Sequence, residues 1–237
     1  MPDGADNVAA DPPLTDLRQL DTVRLIPARY AFPDTSVLTR IAPDAATLAV
    51  VFDLDNATND RLTAEANLLP GIGIDELVFG VPHYRIVNAA FCHAHPLGAR
   101  FNGPDRGAWY AGFSIDTALA EVIFHKTVAL AEVNWFHDDI SYDAYLADLA
   151  SEFHDLRGMA DYQDCLAADS YMASQALAER LLSAGSAGVI YPSVRHPGGT
   201  CIACFRPAIV AHVRKFRRLR LVWGGQQTPT VTPEATY

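Results

Sequence analysis

The sequence predicts an α+β protein in which helices flank a mixed or antiparallel β-sheet. Two observations carry this: two stretches with helical periodicity and recognisable ends, and a C-terminal third made of short, β-branched extended runs separated by turns. With no internal repeat and no convincing linker, residues 16–223 read as a single domain between tails at 1–15 and 224–237.

Taken in order, residues 1–15 are rich in Asp, Pro and Ala without periodicity and read as a frayed end. Thr22 to Ala31 looks extended and stops at the turn FPDT; Asp44 to Asn67 carries two helix-like pieces split near Asn56 to Asn59. A loop, LPGIGID, leads to an apolar segment around Tyr84 to Phe91 that also reads as extended. The next helix starts cleanly, because Ser114 and Asp116 can cap free backbone N–H groups. Its apolar stripe is Ile115, Leu119, Val122 and Ile123, which leaves Glu121 beside the core face with Thr117 and His125 one turn to either side. A further helix runs from Ser170 to Ala184 with Asp169 as cap and Gly185 as stop. VIYPSV, CIACF, AIVAHV and LRLVW then read as strands, and 224–237 as a polar tail.

Of the 237 residues half are apolar and 19% charged, which is globular composition. A chain of this length buries about 70% of its unfolded surface, so it needs neither disulfides nor a structural metal. The net charge of −10 argues against a nonspecific nucleic-acid or anionic-membrane binder. MPDGADNVAADPPLTD lacks the positive flank and apolar core of a signal peptide, and no apolar run is long enough to span a membrane, so the expected location is cytoplasmic. The four cysteines, Cys92, Cys165, Cys201 and Cys204, read as reduced, buried apolar residues.

The densest chemistry lies in GARFNGPDRGAWYAGFSIDTALAEVIFH, residues 98–125. Arg100 and Asn102 sit in a Gly-rich turn where a guanidinium can grip a diphosphate through paired hydrogen bonds. Tyr110 can stack on a ring or hydrogen-bond through its hydroxyl. Glu121 can stabilise the oxocarbenium-like ribose formed when a glycosidic bond such as that of NAD breaks. Each residue alone has a plain structural reading; together they make a nucleotide-cleaving enzyme the leading one.

The runs GARFN, WYAG and TALAEVIFH, followed by VIYPSVRHPGGTCIACFRP, resemble the RES-domain family, named for its Arg, Glu and Ser. The resemblance spans roughly residues 84–207, within a catalytic core at about 81–210 preceded by an N-terminal extension at about 16–80. It implies a split β-sheet similar to that of ADP-ribosylating toxins and an NAD-consuming bacterial toxin paired with a cognate antitoxin. It places the family Arg at Arg100, its Tyr at Tyr110, its Glu at Glu121 and its Ser at Ser193, the last orienting the nucleotide. Arg85 falls where compact members often show an Arg and is a second-tier phosphate ligand. Many members have Trp where this chain has Phe101, and the segment between Glu121 and Ser193 is longer than in compact members. NAD is substrate, no metal is expected, water, phosphate or a protein side chain can each take the ADP-ribosyl group, and homo-oligomerisation stays open.

Three other readings compete. VVFDLDNAT resembles the opening motif of haloacid-dehalogenase-like, Mg²⁺-dependent phosphohydrolases, with Asp53 as nucleophile and Asp55 as acid/base, but Ala57 departs from that motif and no later Lys or acidic pair completes it. A zinc site from Cys201, Cys204, Cys92, His93 and His95 is disfavoured because residues three apart on a strand face opposite ways. RKFRRLR, residues 214–220, concentrates five of the 18 basic residues and would suit a non-catalytic interaction module, yet Arg218 and Arg220 alternate with Leu219 and Leu221 as on the outer face of a strand. His125 and His196 read as helix-surface and loop residues.

Overall fold

The computed structural model describes residues 10–30 and 71–234. Asp53, Asp55 and the helix-like pieces between Asp44 and Asn67 lie outside them. Within the described residues seven strands form one mixed sheet: β1 (Leu14–Pro27), β2 (Trp109–Gly112), β3 (His137–Asp155), β4 (Gly188–Pro192), β5 (Thr200–Cys204), β6 (Val210–Gly224) and β7 (Thr230–Glu234), in the order β1-β2-β5-β4-β3-β6-β7. Among the described pairings only β3 with β4 is parallel. Among the described residues three α-helices flank the sheet: α1 (Tyr84–Cys92), α2 (Ile115–Glu132) and α3 (Met172–Ser183).

The split follows from β3. One edge of this 19-residue strand carries β1 from Tyr142 to His154. The other carries β6 from His137 to Leu149, then releases it and takes β4 at His154 and Asp155. Because β1 also meets β2 at Val23 and Gly112, the strands β1, β2, β5, β4 and β3 close on themselves. Inside lies the largest apolar cluster, with Trp109, Tyr145, Phe153, Ile190 and Ile202 packed against Val87 and Phe91 of α1.

Four sequence expectations are corrected. Tyr84 to Phe91 is helical rather than extended, because the run lacks strict alternation and its apolar residues Ile86, Val87, Ala90 and Phe91 all turn to one core face. Asn88 fixes this helix from outside its own backbone, donating Nδ2 to the Val78 carbonyl (2.8 Å) and accepting the Val78 N–H (3.1 Å) at Oδ1. AIVAHV and LRLVW are two parts of one strand, β6. The expected C-terminal tail contains β7, which pairs with β6 from Val222 to Arg218. Finally, α3 begins at Met172 with Tyr171 at its N-cap and no capping side chain, so Asp169 does not serve as its cap.

β3 had no clear signature because its acidic residues interrupt the apolar pattern; β6 neutralises them. Buried Asp143 accepts from Arg218 at 2.7 and 2.9 Å and from Lys215 at 2.9 Å. Asp139 takes Arg220, and Asp148 takes Arg214 and His212. Leu219 and Leu221 are buried on the opposite face. The basic run is therefore engaged with neighbouring carboxylates, which removes most of its appeal as an electropositive docking surface.

A second ionic knot holds the turn before α1. Arg106, buried beneath it, donates to both Glu76 oxygens at 2.8 Å, and Arg206 adds a bond of 2.9 Å. These bonds, that of Arg106 above all, pull the Glu76 carboxyl from 4.5 down to about 2. A depressed carboxyl adds stability above its unfolded pKa and loses it as pH falls towards the folded value. Glu76→Gln is expected to cost about 2 kcal/mol at pH 7, below the range for a fully buried pair because the carboxylate is partly exposed. That corresponds to a fall of roughly 4–8 °C in Tm. The gap from wild type should narrow as thermal scans move below pH 4.5, and a gap constant with pH would refute this account.

Candidate active site

The site starts at the tight turn GARFN. Ala99 and Asn102 bond to each other through their backbones, throwing Arg100 and Phe101 to the tip. Gly98 makes the entry, with φ +70°; a Cβ there would lie 2.3 Å from the Asn102 carbonyl. Phe101 is buried against Tyr191, ring centroids 4.7 Å apart. Arg100 turns the other way. Its Nη1 donates to the carbonyls of Cys165 (3.1 Å) and Ala167 (2.8 Å), and its guanidinium stacks 4.7 Å from the Tyr171 ring. The loop between β3 and α3 thus aims Arg100.

From β2, Tyr110 points its hydroxyl back at this turn, donating to Asn102 Oδ1 (2.8 Å) and accepting the Phe101 N–H (2.9 Å). Burial pushes its phenol pKa up, so it stays a neutral donor. Asn102 is therefore a brace for Tyr110. β2 ends at Gly112, where a Cβ would come within 2.8 Å of the Ala118 amide; this close approach brings α2 against the strand.

Ser114 caps α2 as expected, its hydroxyl accepting the Thr117 N–H at 3.2 Å. Nearly two turns on, Glu121 meets the segment after β4. Ser193 Oγ accepts the backbone N–H groups of Arg195 (3.2 Å) and His196 (2.9 Å), which leaves its own proton to donate to Glu121 Oε1 at 2.6 Å. The Cys201 thiol, which burial pushes up to about 12, lies 3.7 Å from the same oxygen. His196 Nδ1 pairs with Thr117 Oγ1 at 2.9 Å and so ties this segment to α2. Glu121 Oε1 is thereby held from behind, while Oε2 has His125 Nε2 at 4.0 Å.

A cavity of about 700 Å³ opens in front, lined among others by Arg24, Arg100, Tyr110, Glu121, His125 and Tyr171. Three sequence-derived residues, Arg100, Tyr110 and Glu121, thus line the same cavity. Ser193 and Asn102 are outside the lining, each hydrogen-bonded to a residue within it, Glu121 and Tyr110 respectively. Arg85 lies on α1, outside the lining, its Nε bonded to the Tyr84 hydroxyl.

Sequence reasoning missed Arg24. It projects from β1, donates Nη1 to the Tyr110 carbonyl (3.1 Å), lies 5.0 Å from the Trp109 ring and has a sealed Nε with no partner among the described residues. Desolvation pulls its pKa down to about 10. The available signal was a charged residue in an otherwise apolar stretch, Val23-Arg24-Leu25. His196, read from the sequence as a loop residue, does lie in the loop after β4, and only the folded loop brings it to Thr117. Cys201 and Cys204 fall in different apolar clusters, and no metal-holding group of three His, Cys, Asp or Glu side chains occurs among the described residues.

The split sheet and this cavity define an α+β protein with a cleft in which two guanidiniums and one braced carboxylate face a common space. The RES domain family model matches residues 77–224, more than half of the chain, and the chain belongs to that family. A solved structure, the M. tuberculosis MbcT–MbcA toxin–antitoxin complex, is similar at 17% identity and a TM-score of 0.42, covering 54% of this chain and 73% of that one. No curated protein sequence matches. No helix among the described residues is long and apolar enough to cross a membrane.

Proposed function

We propose that this protein is a RES-type toxin that cleaves NAD at the bond between nicotinamide and ribose. The observation that carries this reading is the Glu121 carboxylate, held through Oε1 by Ser193 in the lining of a cavity that also holds Arg24 and Arg100. Departure of neutral nicotinamide leaves positive charge on the ribose, and a preoriented carboxylate stabilises that charge where it develops. The guanidiniums of Arg24 and Arg100 suit the diphosphate. Tyr110 has its hydroxyl committed to the turn, so its ring positions the nicotinamide ribose. A cognate antitoxin that blocks the cleft is the partner implied by the family resemblance, and growth inhibition through NAD depletion is the outcome.

Ser193 becomes a positioning residue for Glu121 instead of a nucleotide ligand. Loss of a hydrogen bond to a charged group is worth about 1.5–3 kcal/mol. Ser193→Ala should therefore lower kcat by about ten- to a hundredfold with KM near wild type; a rise in KM at unchanged kcat would return Ser193 to substrate binding. The primary test is purified protein with NAD, with and without phosphate or cell lysate, and identification of products. Nicotinamide release is expected, and none under any condition would overturn the reading.

A further inference from the structure

Once Glu121 is committed to the cation, something must take the proton of the attacking acceptor. We propose that His125 is this general base, seating and deprotonating a water molecule between its Nε2 and Glu121 Oε2; the inference rests on the NAD-cleaving reading above. His125 follows Glu121 by one helical turn, lines the same cavity and keeps 56% of its side chain exposed. Its Nε2 stands 4.0 Å from Oε2, too far for a direct hydrogen bond and suited to one bridging water. Glu121 Oε1 already accepts from Ser193 and lies beside the Cys201 thiol, so Oε2 is the oxygen available to such a water. Phe124 braces the imidazole edge-on, ring centroids 5.4 Å apart.

The surroundings keep the ring neutral and thus able to accept a proton. Desolvation lowers its pKa below the ordinary 6.5, and the charges of Arg195, Arg100 and His95 act the same way against the opposing pull of Glu121. In the step itself, the C–N bond breaks with its electron pair leaving on nicotinamide. The water oxygen bonds to ribose C1′, and its proton passes to Nε2 and then to solvent. The products are ADP-ribose, nicotinamide and one proton.

The test is His125→Ala, assayed for nicotinamide release and ADP-ribose formation with and without sodium azide, after a thermal melt confirms folding. General-base catalysis contributes about a hundredfold or more, so hydrolysis should fall by that order. Azide attacks as an anion and needs no base; it should restore turnover and yield ADP-ribosyl azide. The wild-type rate should decline as pH falls through the lowered His125 pKa, and the variant should lose that limb. Hydrolysis at the wild-type rate in the variant, or a loss that azide does not restore, overturns the proposal. Absence of NAD cleavage in wild type instead fails the underlying reading and takes this inference with it.

Discussion

Glu121→Gln is expected to reduce nicotinamide release by about a thousandfold while leaving KM within a few-fold of wild type. The amide matches the carboxylate in size, and its oxygen can still accept the Ser193 proton that now goes to Oε1. The change therefore removes charge with little alteration of shape, and melting should show a folded protein. On the proposed reading, what disappears is the negative charge opposite the ribose, an interaction that matters only once the glycosidic bond is breaking, so the loss belongs in kcat. Glu121→Asp supplies the complementary control: it keeps the charge but withdraws it by one methylene from Ser193 and the cavity, and should recover part of the rate at most. Turnover of Glu121→Gln within tenfold of wild type would remove Glu121 from the chemistry.

The extent to which this site was legible in the sequence follows the range of the interactions that build it. Arg100, Tyr110 and Glu121 lie within one segment whose turn, strand and capped helix each have local signatures, so their convergence was readable. Ser193 was read from the sequence as orienting the nucleotide, and in the folded chain its hydroxyl hydrogen-bonds Glu121. Its hydroxyl direction is set by the backbone amides of Arg195 and His196, and a turn of that kind has no one-dimensional trace. Arg85 and Arg24 illustrate the same limit. Both precede the motif, and which one reaches the cavity depends on Tyr84 to Cys92 being a helix and on β1 crossing to β2 at Val23 and Gly112. The long strand β3 escaped notice because Asp139, Asp143 and Asp148 look like loop residues until β6 supplies their cations. Local periodicity thus located the helices at 115–132 and 172–183, whereas cross-strand charge pairing decided the middle of the sheet.

Arg24→Gln is expected to raise KM for NAD by about a hundredfold with a much smaller change in kcat, and to leave the unliganded protein as stable as wild type or more so. A half-sealed guanidinium whose Nε has no partner among the described residues carries a desolvation cost, and its pKa, pulled down to about 10, records that cost. The linkage has a definite sign. Folding disfavours the protonated form, so the penalty is fully present below pH 10 and is relieved only as pH rises from there towards 12.5. A neutral side chain escapes the penalty at every working pH. On the proposed reading the guanidinium serves an anion, and two hydrogen bonds to a charged diphosphate at about 1.5 kcal/mol each would account for the hundredfold. ADP separates binding from catalysis. At a concentration of 100 Kd it should stabilise wild type by about 2.7 kcal/mol and give a clear rise in Tm, while the same concentration should leave Arg24→Gln nearly unshifted. Arg24→Lys keeps the charge without the planar fork and should fall between the two. A variant that melts well below wild type yet binds ADP equally would make Arg24 a structural residue and leave Arg100 to hold the diphosphate alone.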